Sequence, residues 1–413
     1  MDDQVKQVRT WKAISAALAA VALGAIVGIV VILGKGIFSS GNTGNADNVG
    51  NNGTEVTSAT IETESSITAA TETSETETVE ETETVVETKE DVKTDPLSLW
   101  TENAPAKEAL ISYMTAITDE GSADYIPVEN RIAVFDMDGT ILCETDPYYF
   151  DHCLLVYRVL EDPSYKNKAS AFEKDVATRV KAICDGDKSV SVSMVEHGQA
   201  VASAFSGMTI DEFEDYVKMF RDQPAPGYNG MTRGEAFYKP MLQIIDYLQA
   251  NDFKVYIVSG TDRLIVRGLA KDVLDIPRNQ LIGSDETLVA SNQGTEDGEF
   301  YTFTDQDKLV LGGDFIIKNL NTNKVTVIMQ EIGVQPVLSF GNSTGDAAMA
   351  EFTTTNNKYK SLAFMLCCDD TERENGNESK ADKMKGLCDE FGWIAVSMKN
   401  DWTTIYGEGV TRK

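Results

Sequence analysis

A chain of 413 residues holds one large domain or two ordinary ones, and 36 basic against 66 acidic residues leave it a net charge of −30. So acidic a chain repels phosphate backbones, which excludes nucleic acid as a natural partner. The only histidines are His152 and His197, which excludes a zinc site built on several histidines and leaves a Ser-His-Asp triad only these two to draw on.

The chain divides into three parts. Residues 1–38 hold a run from Ala13 to Leu33, about 21 residues with no charge. Roughly 20 apolar residues span a bilayer core as a helix. Lys6, Arg9 and Lys12 precede the run, which predicts a single transmembrane anchor with its N-terminus in the cytoplasm and the remainder outside the cell. A cleaved signal peptide is the alternative, though its apolar core is normally shorter. Residues 39–95 open with Gly and Asn and become a Thr/Glu/Ser tract, as in Thr71 to Glu90. Such a segment has too little apolar surface to offset its chain entropy and predicts a disordered, self-repelling stalk.

Residues 96–413 carry the folded domain. Short apolar runs at Ile132–Phe135, Val255–Val258, Val337–Phe340, Leu362–Leu366 and Ile394–Val396 read as buried strands. Stretches such as Met241–Gln249, apolar at spacings of three and four, read as helices between them. The alternation predicts an α/β domain with a parallel sheet covered on both faces. The cysteines Cys143, Cys153, Cys184, Cys367, Cys368 and Cys388 include no CxxC pair, so a metal clip is absent. Their even number permits disulfides outside the cell and equally fits buried thiols.

In such a sheet, ligands sit beyond the carboxyl ends of the strands. Asp136-Met137-Asp138-Gly139-Thr140 follows the first strand, Ser259-Gly260-Thr261-Asp262 the second, and Gly341-Asn342-Ser343-Thr344-Gly345-Asp346 the third. A carboxylate can attack phosphorus to form an acyl phosphate that water then hydrolyses. Asp136 suits that role, and Asp138 can protonate the leaving oxygen and later deprotonate the water. Met137 between them points into the core. Gly139 permits a sharp turn and offers its amide to phosphoryl oxygens.

These motifs, in this order and followed by Met349, resemble the haloacid dehalogenase superfamily, and within it the phosphatases related to phosphoserine phosphatase; the resemblance spans about Arg131 to Lys413. It implies a Rossmann-like core, phosphoryl transfer through an aspartyl-phosphate, and Mg2+. The implied metal ligands are the Asp136 carboxylate, the Asp138 carbonyl, Asn342, where an aspartate is usual, and Asp346, directly or through a water. Ser259 and Gly260 are implied to bind the transferring phosphoryl group. The family's charge-neutralising lysine is assigned to Lys324, opening a helix Val325–Ile332 capped by Asn321 or Asn323, with Lys318 as the alternative and Lys308 more remote.

About 110 residues separate Asp138 from the Val255 strand, far more than one crossover helix requires. Residues 147–238 therefore predict an inserted helical cap, resembling the first cap type (C1) of the superfamily, able to close over the site and exclude water. Glu144 is a candidate for substrate or cap contacts. Tyr148, Tyr149, Phe150 and Tyr157 could form a cage for a quaternary ammonium group, though core packing is the commoner use of such a cluster. His152 and His197 fall in the cap and could reach substrate. The expected partner is a small phosphorylated molecule. The alternatives are a phosphotransferase or phosphonate-cleaving enzyme on the same scaffold, and a non-catalytic binding protein that keeps the fold.

Overall fold

The computed structural model describes residues 95–146 and 148–413. The expected anchor and all but the last residue of the expected stalk lie outside the described residues. Among the described residues no helix is long and apolar enough to cross a membrane.

In chain order the elements are α1 (Pro105–Thr118), β1 (Ile132–Phe135), α2 (Phe150–Val156), α3 (Ala171–Cys184), α4 (Met194–Phe205), α5 (Ile210–Arg221) and β2 (Tyr228–Asn229). Next come α6 (Lys239–Gln249), β3 (Lys254–Asp262), α7 (Arg263–Ala270), β4 (Leu281–Ala290), β5 (Leu309–Ile317) and α8 (Thr322–Val327). The chain finishes with β6 (Leu338–Gly341), α9 (Ala347–Thr354), β7 (Leu362–Cys367), α10 (Glu378–Phe391), β8 (Ile394–Ser397), α11 (Met398–Asp401) and β9 (Thr411–Arg412).

Seven strands form one sheet in the order β5-β4-β3-β1-β6-β7-β8. All neighbours are parallel except β4 and β5, an antiparallel pair at one edge. The five expected apolar runs are β1, β3, β6, β7 and β8. They are recognisable because strands covered on both faces carry continuous apolar side chains; β1 and β6 are buried at every position. The rings of Phe135 and Phe340 stack at 4.2 Å, and those of Phe340 and Phe364 at 4.9 Å, tying three adjacent strands through one face. The helix α1 starts on Pro105 and buries Leu110, Tyr113, Met114 and Ile117, one face at helical spacing.

The cap helices α2 to α5 lie between β1 and β3 in sequence. Three of them open on capping boxes, Ser170 with Glu173, Ser193 with Glu196 and Thr209 with Glu212, which satisfy otherwise orphaned amides. Phe150 packs edge-on against Phe220, and Tyr157 lies against Phe220 and Tyr216. Both therefore belong to the cap's core, and the four-aromatic cage does not form. The helices end at Arg221, short of the expected boundary at 238. Beyond them β2 pairs with β9, and Tyr238 donates its amide to Ile141, so residues 228–238 return to the core domain.

The β4–β5 hairpin was not evident from the sequence. It supports the cap. A Cβ at Gly198 of α4 would lie 2.5 Å from the Phe315 ring of β5, and Ser206 donates to the Gly312 carbonyl. The helix can approach the hairpin this closely because Gly198 has no side chain.

Among the described residues, which include all six cysteines, no disulfide is formed. Cys143 hydrogen-bonds Glu374, and Cys367 is buried in β7, as the core reading of the vicinal pair expects.

Candidate active site

The central position of β1 creates the site. Its two neighbours in the sheet are β3 and β6, and Phe135 is in register with both Ile257 and Phe340. The three motif-bearing strands therefore end side by side. Asp136, Asp138, Gly260, Thr261, Asn342, Ser343, Gly345 and Asp346 line one cavity of about 320 Å³. A neighbouring cavity of about 380 Å³ shares Tyr148 and holds none of the motif residues.

The turn after β1 is tight. The Met137 carbonyl accepts from the amides of Thr140, Ile141 and Leu142, at 3.2, 2.9 and 3.0 Å, and the Met137 side chain is fully buried. Gly139 has φ +76°, and a Cβ there would lie 1.9 Å from Asn342 Nδ2 and 2.6 Å from the Glu144 carboxyl carbon. Glycine is thus required both for the left-handed backbone and for the approach of the third motif loop.

Lys324, rather than Lys318, meets the nucleophile candidate. Its Nζ lies 2.5 Å from Asp136 Oδ1 and 2.7 Å from Asp346 Oδ1, and the side chain is fully buried. The surrounding helix departs from expectation. It begins at Thr322 and passes into a π-helical turn over Ile328–Ile332, and neither expected asparagine caps it by its side chain. Asn321 instead sits at φ +53° and donates its amide to Gly345, so the lysine's turn is fastened to the third motif.

Asp346 spends both carboxylate oxygens on protein donors. Oδ1 takes Lys324, and Oδ2 takes the Asn342 amide, the Ser343 amide and the Ser343 hydroxyl, each at 3.1 Å. Asn342 Oδ1 accepts from Thr140 at 3.4 Å.

Asp138 receives Thr261 Oγ1 on Oδ2 at 2.7 Å, with Ser259 Oγ at 3.5 Å, while its buried Oδ1 has no hydrogen-bond partner. Thr261, given no role in the sequence reading, lines the cavity and orients the Asp138 carboxyl. The Ser259 hydroxyl is fully buried, accepts the Thr261 amide and does not line the cavity; Gly260 does.

The electrostatics are those of crowded, desolvated carboxylates. Burial, reinforced by Asp346 and opposed by Lys324, pushes Asp136 up. Burial and then Asp151 push Asp138 up to about 7. Burial also pushes Glu144 up to about 7, against hydrogen bonds from Tyr149 and Asn342. Negative charge in excess of the lysines, an orphaned Asp138 oxygen and an amide oxygen on Asn342 together suit a hard, oxygen-seeking cation such as Mg2+.

The cap closes the other side of the cavity with Tyr148, Tyr149, Asp151, His152 and Met194, joined by Lys318. Lys318 Nζ lies 3.9 Å from Asp151 Oδ2, so the second lysine candidate belongs to this wall.

A family model described as haloacid dehalogenase-like hydrolase matches residues 133–351. No curated protein matches the chain. Among solved structures, a functionally unknown protein from Anaerococcus prevotii DSM 20548 is 15% identical, with 71% of this chain and 91% of that one covered at a TM-score of 0.43. A cytosolic 5'-nucleotidase IIIB bound to cytidine is 13% identical over 74% and 91%, at 0.42. A phosphoserine phosphohydrolase-like protein from Francisella tularensis subsp. tularensis SCHU S4 is 14% identical over 62% and 92%, at 0.34. These three are too distant to carry an argument, and the family match stands on the span that bears the motifs.

Proposed function

The chain belongs to the haloacid dehalogenase-like hydrolases, and we propose that it hydrolyses a small phosphomonoester through an aspartyl-phosphate on Asp136, with Mg2+ as cofactor. The observation that carries this reading is the buried Lys324 clamped between Asp136 and Asp346, with Asp138 lining the same cavity as those two carboxylates. A binding module has no use for two inward carboxylates poised two residues apart.

Lys324 holds Asp136 Oδ1 and leaves the carboxylate oriented for attack on phosphorus. As the Asp136–phosphorus bond forms, the ester P–O bond breaks and Asp138 delivers its proton to the departing oxygen. Thr261 fixes the Asp138 carboxyl for that transfer. Water then attacks the acyl phosphate, Asp138 takes its proton, and the bond from phosphorus to Asp136 breaks to release inorganic phosphate. The Gly260 amide is the backbone donor assigned to the phosphoryl oxygens, with Ser259 behind it, because the Gly139 amide, expected to share that task, is donated to the Leu142 carbonyl at 2.7 Å.

Asp136, the Asp138 carbonyl and Asn342 would hold Mg2+, which supplies the positive charge that lets a phosphate dianion sit against carboxylates. Asp346 serves as the orienter of Lys324 and of the Asn342 loop. Glu144, bonded to Tyr149 and Asn342, contacts substrate or cap. The cap excludes water while the acyl phosphate exists.

We place this domain outside the membrane, tethered by the uncharged segment 13–33 through the acidic tract. The support is the basic residues before that segment and the composition of the tract.

Hydrolysis of an aryl phosphate by the purified protein tests the reading. Turnover that requires Mg2+ and vanishes in Asp136→Asn is expected. A folded protein that turns over no phosphoester in a broad panel and binds no Mg2+ would refute it.

A further inference from the structure

The chain's two histidines meet. They come from different cap helices, His152 from α2 and His197 from α4, and their rings stack at 4.0 Å with planes 19° apart. Asp151 lies between them. Its Oδ1 is 2.7 Å from His152 Nδ1 and its Oδ2 is 3.8 Å from His197 Nδ1. One ligand atom from each of the three residues falls within 4.8 Å of the others, and all three residues are buried. Tetrahedral zinc bonds place ligand atoms about 3.4 Å apart, so small side-chain movements would close the three on one ion.

A second observation points to an occupant. His197 is 1% exposed, yet neither ring nitrogen has a hydrogen-bond partner. Across a void of about 10 Å³ stands Glu286 of β4, and both of its carboxylate oxygens are likewise buried and unpartnered. Asp151, Asp262, Ser284 and Lys318 are the other polar residues that line it. Four buried polar atoms left unpaired are costly. An ion held by His197 would take the ring lone pair that no protein donor meets.

We propose that Asp151, His152 and His197 form a second metal site for one divalent transition ion of the zinc class, with Glu286 facing it across the void. The donor set of two imidazoles and a carboxylate suits such an ion better than magnesium. Its ligands come from α2 and α4, and Glu286 comes from the hairpin, so the ion would tie the cap to the core. It would also displace Lys318, now 3.9 Å from Asp151, toward the phosphoryl cavity that Lys318 already lines.

The test is equilibrium dialysis of the chelator-stripped full chain against zinc with magnesium saturating. One zinc per chain is expected. His197→Gln and Asp151→Asn should each weaken retention at least about ten-fold, with circular dichroism unchanged, while Asp136→Asn should keep the ion. No retained zinc, or retention unaltered in His197→Gln, overturns the proposal. Should the variants fail to fold, cobalt in the native chain decides. Visible d–d bands without a thiolate charge-transfer band are expected, whereas a strong thiolate band would assign the ion to cysteines and reject the site.

Discussion

Replacing Lys324 with Met tests the electrostatic core of the site through stability alone. The substitution keeps the volume but removes the ammonium between Asp136 and Asp346. Asp346 retains three donors on Oδ2 but loses the cation on Oδ1. Removing one partner of a buried pair costs about 3–5 kcal/mol. Asp136 adds a pH-dependent part. Burial pushes its carboxyl up to about 7 in the metal-free protein even with Lys324 present. A raised carboxyl contributes stability in full below its unfolded value and loses it as pH rises to its folded value. In the wild type that loss ends near pH 7. In Lys324→Met the folded value is higher, so the loss continues. The gap between the two proteins should therefore widen above pH 7 by about 1.4 kcal/mol per pH unit. Urea unfolding in chelator, followed by tryptophan fluorescence at pH 6 and pH 9, reads both parts. A penalty under about 1 kcal/mol, or one that is the same at the two pH values, would show that Lys324 does not neutralise these carboxylates and would sink the reasoning.

Asp138→Asn should abolish aryl phosphate turnover while leaving Mg2+ affinity nearly unchanged, because the proposed site takes the metal on its main-chain carbonyl; a large loss of Mg2+ binding in calorimetry would contradict that division of labour. Gly139→Ala faces both a positive φ and an Asn342 contact at 1.9 Å, so it should cost about 1–3 kcal/mol in stability and most of the activity; a fully active, equally stable variant would disprove the tight turn. Glu286, pushed up to about 9 by burial and then by Asp262 and Asp285, contributes stability below its unfolded value that is lost as pH rises toward 9. In chelator, Glu286→Gln should therefore gain on the wild type from pH 5 to pH 9, by on the order of 5 kcal/mol, and a pH-independent difference would count against the burial argument.

What could be read in the sequence follows from burial. The strands carrying the motifs are covered on both faces, so they appear as unbroken apolar runs, and each run ends where its chemistry begins. The β4–β5 hairpin escapes the same reading because its outer face meets solvent. Leu288 is 42% exposed and Ile316 60%, and polar residues from Ser284 to Thr287 interrupt the pattern. Thr261 had a usable signal: β3 continues to Asp262, and a period of two puts residue 261 on the same side as Ser259. The capping boxes were legible as well, since each is a Ser or Thr three residues before Glu.

The joining of His152 to His197 had no such signal, because it depends on how α2 packs against α4 and how α4 rests on the hairpin. Gly198 was the one available hint. A glycine inside a helix is unfavourable by roughly 1 kcal/mol relative to alanine, and here it admits the Phe315 ring. That contact sets the height of α4 above the sheet, and with it the place of His197 beside Asp151. The same geometry separates the two tasks of the protein. The groups assigned to phosphorus follow β1, β3 and β6 and come from contiguous motifs. The side chains on the opposite wall of the cavity, Tyr148, Tyr149, Asp151, His152 and Lys318, come from the cap and from the loop after β5. The motif residues therefore argue for the reaction, while the opposite wall of the cavity is built from side chains whose meeting is decided by tertiary packing.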